Sequence, residues 1–118
     1  MSFFEDRRLF GIAKKTTPEK LQKRMNFFMA KMSYANHSKN VLYAKTVMEK
    51  QAQAIVVEQC KRELRKLIKI ASKMDQNDVK FKEVFGSDFN AWYNAAEMRW
   101  MANPPGTMRS LDVNPPEL

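Results

Sequence analysis

Between Pro18 and Pro104 the chain has one glycine, Gly86, and no internal proline. So long a stretch without helix breakers excludes a turn-rich β architecture and leaves room for long helices. There is a single cysteine, Cys60, which excludes an internal disulfide framework. Its place on an apolar stripe reads as a small buried residue rather than a reactive thiolate. His37 is the only histidine; with Cys60 it makes too few soft ligands for a zinc site. No run of 18 apolar residues occurs, so no transmembrane helix is expected. Gly-rich phosphate loops, HExxH and GxSxG are also missing. The expectation is a non-enzymatic protein with no metal and no cofactor.

What the 118 residues do have is positive charge, +8 overall and unevenly placed. Residues 1–40 carry +6, residues 41–74 carry +5 and residues 75–118 carry −3. That asymmetry favours an anionic partner, or packing against further copies. With 44% hydrophobic and 29% charged residues the composition is globular.

The pattern is all-α: a helical bundle built on one long central helix paired with a shorter one, two C-terminal helices and an extended proline-containing tail. Residues 1–16 read as an N-terminal arm tucking its phenylalanines against the body or a neighbour. Acids Glu5 and Asp6 interrupt that segment and argue against a targeting signal. The helical domain is 17–102. Thr17-Pro18-Glu19 opens its first helix with a cap, a harmless proline and an acid at the positive dipole end. Leu21, Met25, Phe28, Met32 and Ala35 follow at 4,3,4,3 spacing. Apolar content vanishes over 36–40, which reads as a helix end and a restart capped by Ser38 or Asn40.

The second helix is expected from about Val41 to Met74. Its buried stripe reads Val41, Ala44, Met48, Ala52, Ile55, Val56, then Cys60, Leu64, Leu67, Ala71 and Met74. The first helix is too short to cover it, so the aromatic C-terminal third is expected to help. Asp75-Gln76-Asn77-Asp78 is a stop and cap. A short helix, Val79 to Phe85, ends at Gly86 as a left-handed residue, and Ser87 is expected to cap a last helix to Ala102. Residues 103–118, with Asn-Pro-Pro twice, form the extended tail.

The strongest functional signal lies opposite the buried stripe. Lys61, Arg62, Arg65, Lys66, Lys69 and Lys73 face Glu63 as the only acid in their interval. Phosphate backbones call for several cations on one face, and arginine forks bind them bidentately. Lys20, Lys23 and Arg24 extend the field if the first helix lies alongside; Lys14, Lys15 and Lys31 are further candidates. Against this, any long amphipathic helix has a charged outer face. Phe81 to Ala95 has helix-turn-helix spacing, but its would-be recognition helix holds two acids and no Lys or Arg. Membrane-surface binding is set aside because the inner stripe is coiled-coil-like rather than aromatic.

Two functions follow as expectations. The first is a small basic nucleic-acid-binding protein that grips the phosphate backbone through the Lys/Arg stripe. The second is a structural or adaptor subunit of a larger assembly, such as a viral particle or organellar complex. There the stripe meets an acidic protein surface and the tail clasps a neighbour. A homo-oligomer suits either, in a reducing intracellular compartment or a virion. Leu9-Phe10-Gly11, the TTPEK of 16–20 and the basic hairpin before a more acidic C-terminus are similar to the start of ESCRT-III membrane-remodelling subunits. The similarity covers only the N-terminal half, departs in the proline-rich end, and carries no site residue over.

Overall fold

Thr17 and Pro18 start a helix where the sequence places it: the Thr17 hydroxyl accepts from the Lys20 amide at 3.3 Å, and Pro18 is the first helical residue. The computed structural model describes residues 3–37, 47–105 and 114–118. Within them lie helices α1 (Phe3–Lys15), α2 (Pro18–His37), α3 (Val47–Ser72), α4 (Val79–Phe85) and α5 (Phe89–Ala102), with no strand among the described residues. The fold is an all-α bundle. The expected caps Ser38 and Asn40, the stripe residues Val41 and Ala44, and tail residues 106–113 lie outside the described residues.

The shorter α2 and longer α3 pair antiparallel, with Arg24 meeting Glu63 while Lys31, further along α2, lies near Cys60. Leu21, Met25, Phe28, Met29 and Met32 of α2 interlock with Val57, Cys60, Leu64, Leu67 and Ala71 of α3 in one apolar core. Each set repeats every three or four residues, the period that keeps one helix face inward.

Residues 3–15 form a helix. Glu5 and Asp6 sit in its first turn and Lys14 and Lys15 in its last, the arrangement the helix dipole favours. Leu9 and Ala13, four residues apart, are its buried contacts, while Phe4 and Phe10 stay exposed. Leu9 and Ala13, not Phe4 or Phe10, anchor α1, which packs on α3.

The C-terminal third also departs from expectation. α4 and α5 pack against α2, and among the described residues neither runs beside α3. The Gln22 amide donates to the Val84 carbonyl at 3.0 Å, and the Trp100 indole N–H donates to Asn26 Oδ1 at 3.1 Å. The Ser33 hydroxyl donates to the Trp100 carbonyl. These contacts make α2 the helix that touches three others, so α3 is covered by α2 and α1. Phe81, Phe85, Phe89 and Trp92 stack into one aromatic cluster, with ring centroids 4.7–5.0 Å apart for Phe81–Phe85, Phe85–Phe89 and Phe85–Trp92.

Asp78 caps α4, accepting from the Lys80 and Phe81 amides at 3.0 and 3.4 Å. Asp88, not Ser87, caps α5, accepting from the Ala91 amide at 3.2 Å. Both residues are good caps, and Phe89 and Tyr93 of α5 are buried. Gly86 ends α4 at φ 79°, ψ −168°, a region open essentially to glycine. Space is not the constraint, since an added Cβ would meet nothing within 4 Å. Gly86→Ala is therefore expected to cost about 1–3 kcal/mol through backbone strain alone, read as a lower urea midpoint at unchanged slope.

Residues 114–118 lie against the chain's own body. The Arg24 guanidinium donates through Nη1 to the Pro116 carbonyl at 3.0 Å, and Leu118 packs against the core.

Candidate anion-binding face

Two seams run along α3 at three- and four-residue steps. The inner one, Val57, Cys60, Leu64, Leu67 and Ala71, is buried. The outer one runs Met48, Ala52, Ile55, Gln59, Arg62, Lys66, Lys69 and Lys73 at 4,3,4,3,4,3,4 spacing. Met48, Ala52 and Ile55, expected on the buried stripe, belong to the outer seam: Met48 is 79% and Ile55 58% exposed. The reason is geometric, because Ile55 leads by four to Gln59 and by seven to Arg62, whereas Val56 and Val57 lead to Cys60 and Leu64. One outward face of α3 is thus apolar at its start and cationic at its end.

The six cations of the stripe do not have equal standing. Lys61 pairs with Glu58 at 3.5 Å, Lys66 with Glu63 at 3.7 Å, and Lys73 with Asp6 of α1 at 3.8 Å. These are partly exposed pairs, each worth little to stability, but in each the carboxylate offsets charge that its lysine would otherwise offer to a ligand. Arg62, Arg65 and Lys69 have no acidic partner within 4.0 Å among the described residues. At about 100° per residue they fall within about 60° of one another, over roughly 10 Å of helix.

Beside them a groove of about 430 Å³ opens between α2 and α3. Arg24 and Lys31 enter it from α2, Arg62 and Lys66 from α3, with Glu63 as its one acid, Cys60 and Phe28 inside and Pro115 at its edge. Arg24 is fixed three ways: Nη2 lies 3.7 Å from Glu63 Oε2, Nη1 bonds to Pro116, and the guanidinium sits 5.3 Å over the Phe28 ring. Burial pushes the Cys60 thiol up from its ordinary range; Lys31 pulls it partly back and Glu63 adds to the rise. Cys60 is accordingly a protonated, packed residue rather than a nucleophile.

The α2 cations divide. Arg24 joins the groove, and Lys20, one turn earlier, is exposed on the same side of α2. Lys23 does not join it: its side chain lines a separate hollow with Phe27, Trp100 and Pro116, across the tail from the stripe. Lys31, only a further candidate in the sequence, faces Arg62 and Lys66 across the groove. Its signal was its place seven residues after Arg24, hence on the same helix face. The would-be recognition helix, α5, buries Phe89 and Tyr93 in the core, as its lack of cations suggested. No helix of the described residues is long and apolar enough to cross a membrane.

The chain matches no known protein-family profile, no curated protein and no solved structure, so the similarity of its N-terminal half to ESCRT-III subunits gains no support from comparison.

Proposed function

We propose that the protein is a non-enzymatic binder of nucleic-acid phosphate backbone, using the α2–α3 groove and the adjoining face of α3. The observation that carries this reading is the cluster of Arg62, Arg65 and Lys69, unpaired among the described residues, of which Arg62 also lines the groove that Lys31 enters from α2. Arginine and lysine side chains at fixed spacing on a rigid helix fit phosphates without reading bases. The alternative of an assembly subunit whose tail clasps a neighbour has less to draw on, since residues 114–118 lie along this chain's own α2.

Three unpaired cations plus Lys31 correspond to about four phosphate contacts, so log affinity for duplex should fall with log salt at a slope of about −3.6. Between 50 and 200 mM salt that is a loss of about a hundredfold. Fluorescence anisotropy with a random-sequence duplex measures it, and a scrambled duplex should bind equally well. No binding at low salt, or a slope no steeper than about −1, would sink the reading.

A further inference from the structure

The outer seam of α3 carries, in its N-terminal half, a feature of which phosphate binding uses only Arg62. Ile55, Glu58, Gln59 and Arg62, with Ala54 beside them, enclose a hollow of about 430 Å³ on the outward face. Four residues at i, i+3, i+4 and i+7 are the four that form the hole for a knob in helix-on-helix packing. Two turns earlier on the same seam, Met48 projects into solvent, an unbranched side chain of the kind that fills such holes.

We infer that this seam is where a second copy of the chain docks, α3 against α3 and antiparallel, with the twofold axis passing between residues 53 and 54. In that register Met48 of each copy meets Gln59 of the other and enters the hollow around it, and Ala52 meets Ile55. Gln51 falls beside Glu58, so residues 48–59 hold no like-charge contact along the seam. A parallel pair would instead stack Arg62, Lys66 and Lys69 on their own copies, at a repulsive cost. Antiparallel pairing sends the two cationic ends apart.

The distance between those ends links this docking to the proposed function, on which that link alone rests. The centre of the Arg62, Arg65 and Lys69 cluster lies about 18 Å along the helix from the axis, which separates the two clusters by about 36 Å. One turn of duplex measures about 34–36 Å. A dimer of this register would therefore hold its two cationic clusters about one duplex turn apart along the paired helices.

Self-association is read without nucleic acid, by sedimentation velocity at concentrations up to about 1 mM, where a millimolar association is half populated. The expected result is a concentration-dependent dimer. Ile55→Glu, at an exposed position, should weaken it at least about tenfold while leaving the circular dichroism unchanged. Val79→Glu, equally exposed but on α4, should leave it intact. Ala52→Cys should cross-link to itself through a short bismaleimide, and adding Ile55→Glu should abolish that product. A monomer throughout the range, or a dimer indifferent to Ile55→Glu, overturns the docking and leaves the phosphate reading standing. A dimer of the expected register with no affinity for duplex overturns only the phosphate reading.

Discussion

Replacing Phe81 with alanine is expected to lower the unfolding free energy by about 3–5 kcal/mol, the range for truncating a fully buried aromatic. Phe81 is 1% exposed and meets the Phe85 ring at 4.8 Å and the Phe89 ring at 6.0 Å. The ring therefore joins α4 to α5 inside the core built on α2. A helix of seven residues such as α4 has no stability of its own. Its order comes from Phe81 and Phe85 pointing inward, the Asp78 cap and the Gln22 bond to Val84. Against a total stability of about 5–15 kcal/mol, the loss is a large fraction, and the thermal midpoint should drop by roughly 10–20 °C. The Phe81→Leu variant separates shape from bulk: it should recover more than half of the loss, because it refills most of the cavity. Urea titration of both variants measures the difference. An alanine variant within about 1 kcal/mol of the parent would mean that the α4–α5 cluster is not part of the cooperative core.

The same cluster shows where sequence reading succeeds and where it stops. Thr17-Pro18, Asp78 and Gly86 announce helix ends through local chemistry, since a cap, a missing N–H and a positive φ act within a few residues. The aromatics between Phe81 and Tyr93 announce a core, yet nothing local says which helix they pack on. They pack on α2 because its opposite flank is free once α3 has taken the first, a tertiary fact without sequence signature. The seam of α3 was ambiguous for a different reason. Apolar residues occupy the outer seam at Met48, Ala52 and Ile55 and the inner one from Val57 onward, and both keep the 4,3 rhythm. Of the cationic site, the residue types and the helix face were legible. Which cations are neutralised was not. Asp6 reaches Lys73 from α1, and Glu63 spans to Arg24 of α2, both across distances no window of sequence covers.

That distinction decides which cations to change. Neutralising Arg62, Arg65 and Lys69 together to glutamine is expected to cut the salt slope of duplex binding from about −3.6 to about −1, since each contact contributes about 0.9. At 50 mM salt the affinity should fall by at least about a hundredfold, toward the residual hold of Lys31 and the paired cations. The fold should not notice. None of the three has an acidic partner among the described residues, so no carboxylate is orphaned, and glutamine is as good a helix former as lysine or arginine. The effect on stability should stay within about 0.5 kcal/mol at each site. Lys66→Gln and Arg24→Gln are poorer tests, because either one strips a partner from Glu63 and mixes a structural change into the binding result. The matched control is Lys61→Gln with Lys73→Gln, which removes two charges already held by Glu58 and Asp6. Its slope should change by less than about one unit, although simple counting of charge would demand nearly two. Equal loss per charge in the two variants would show that net charge alone drives binding and that the groove and its neighbouring cluster are not a site.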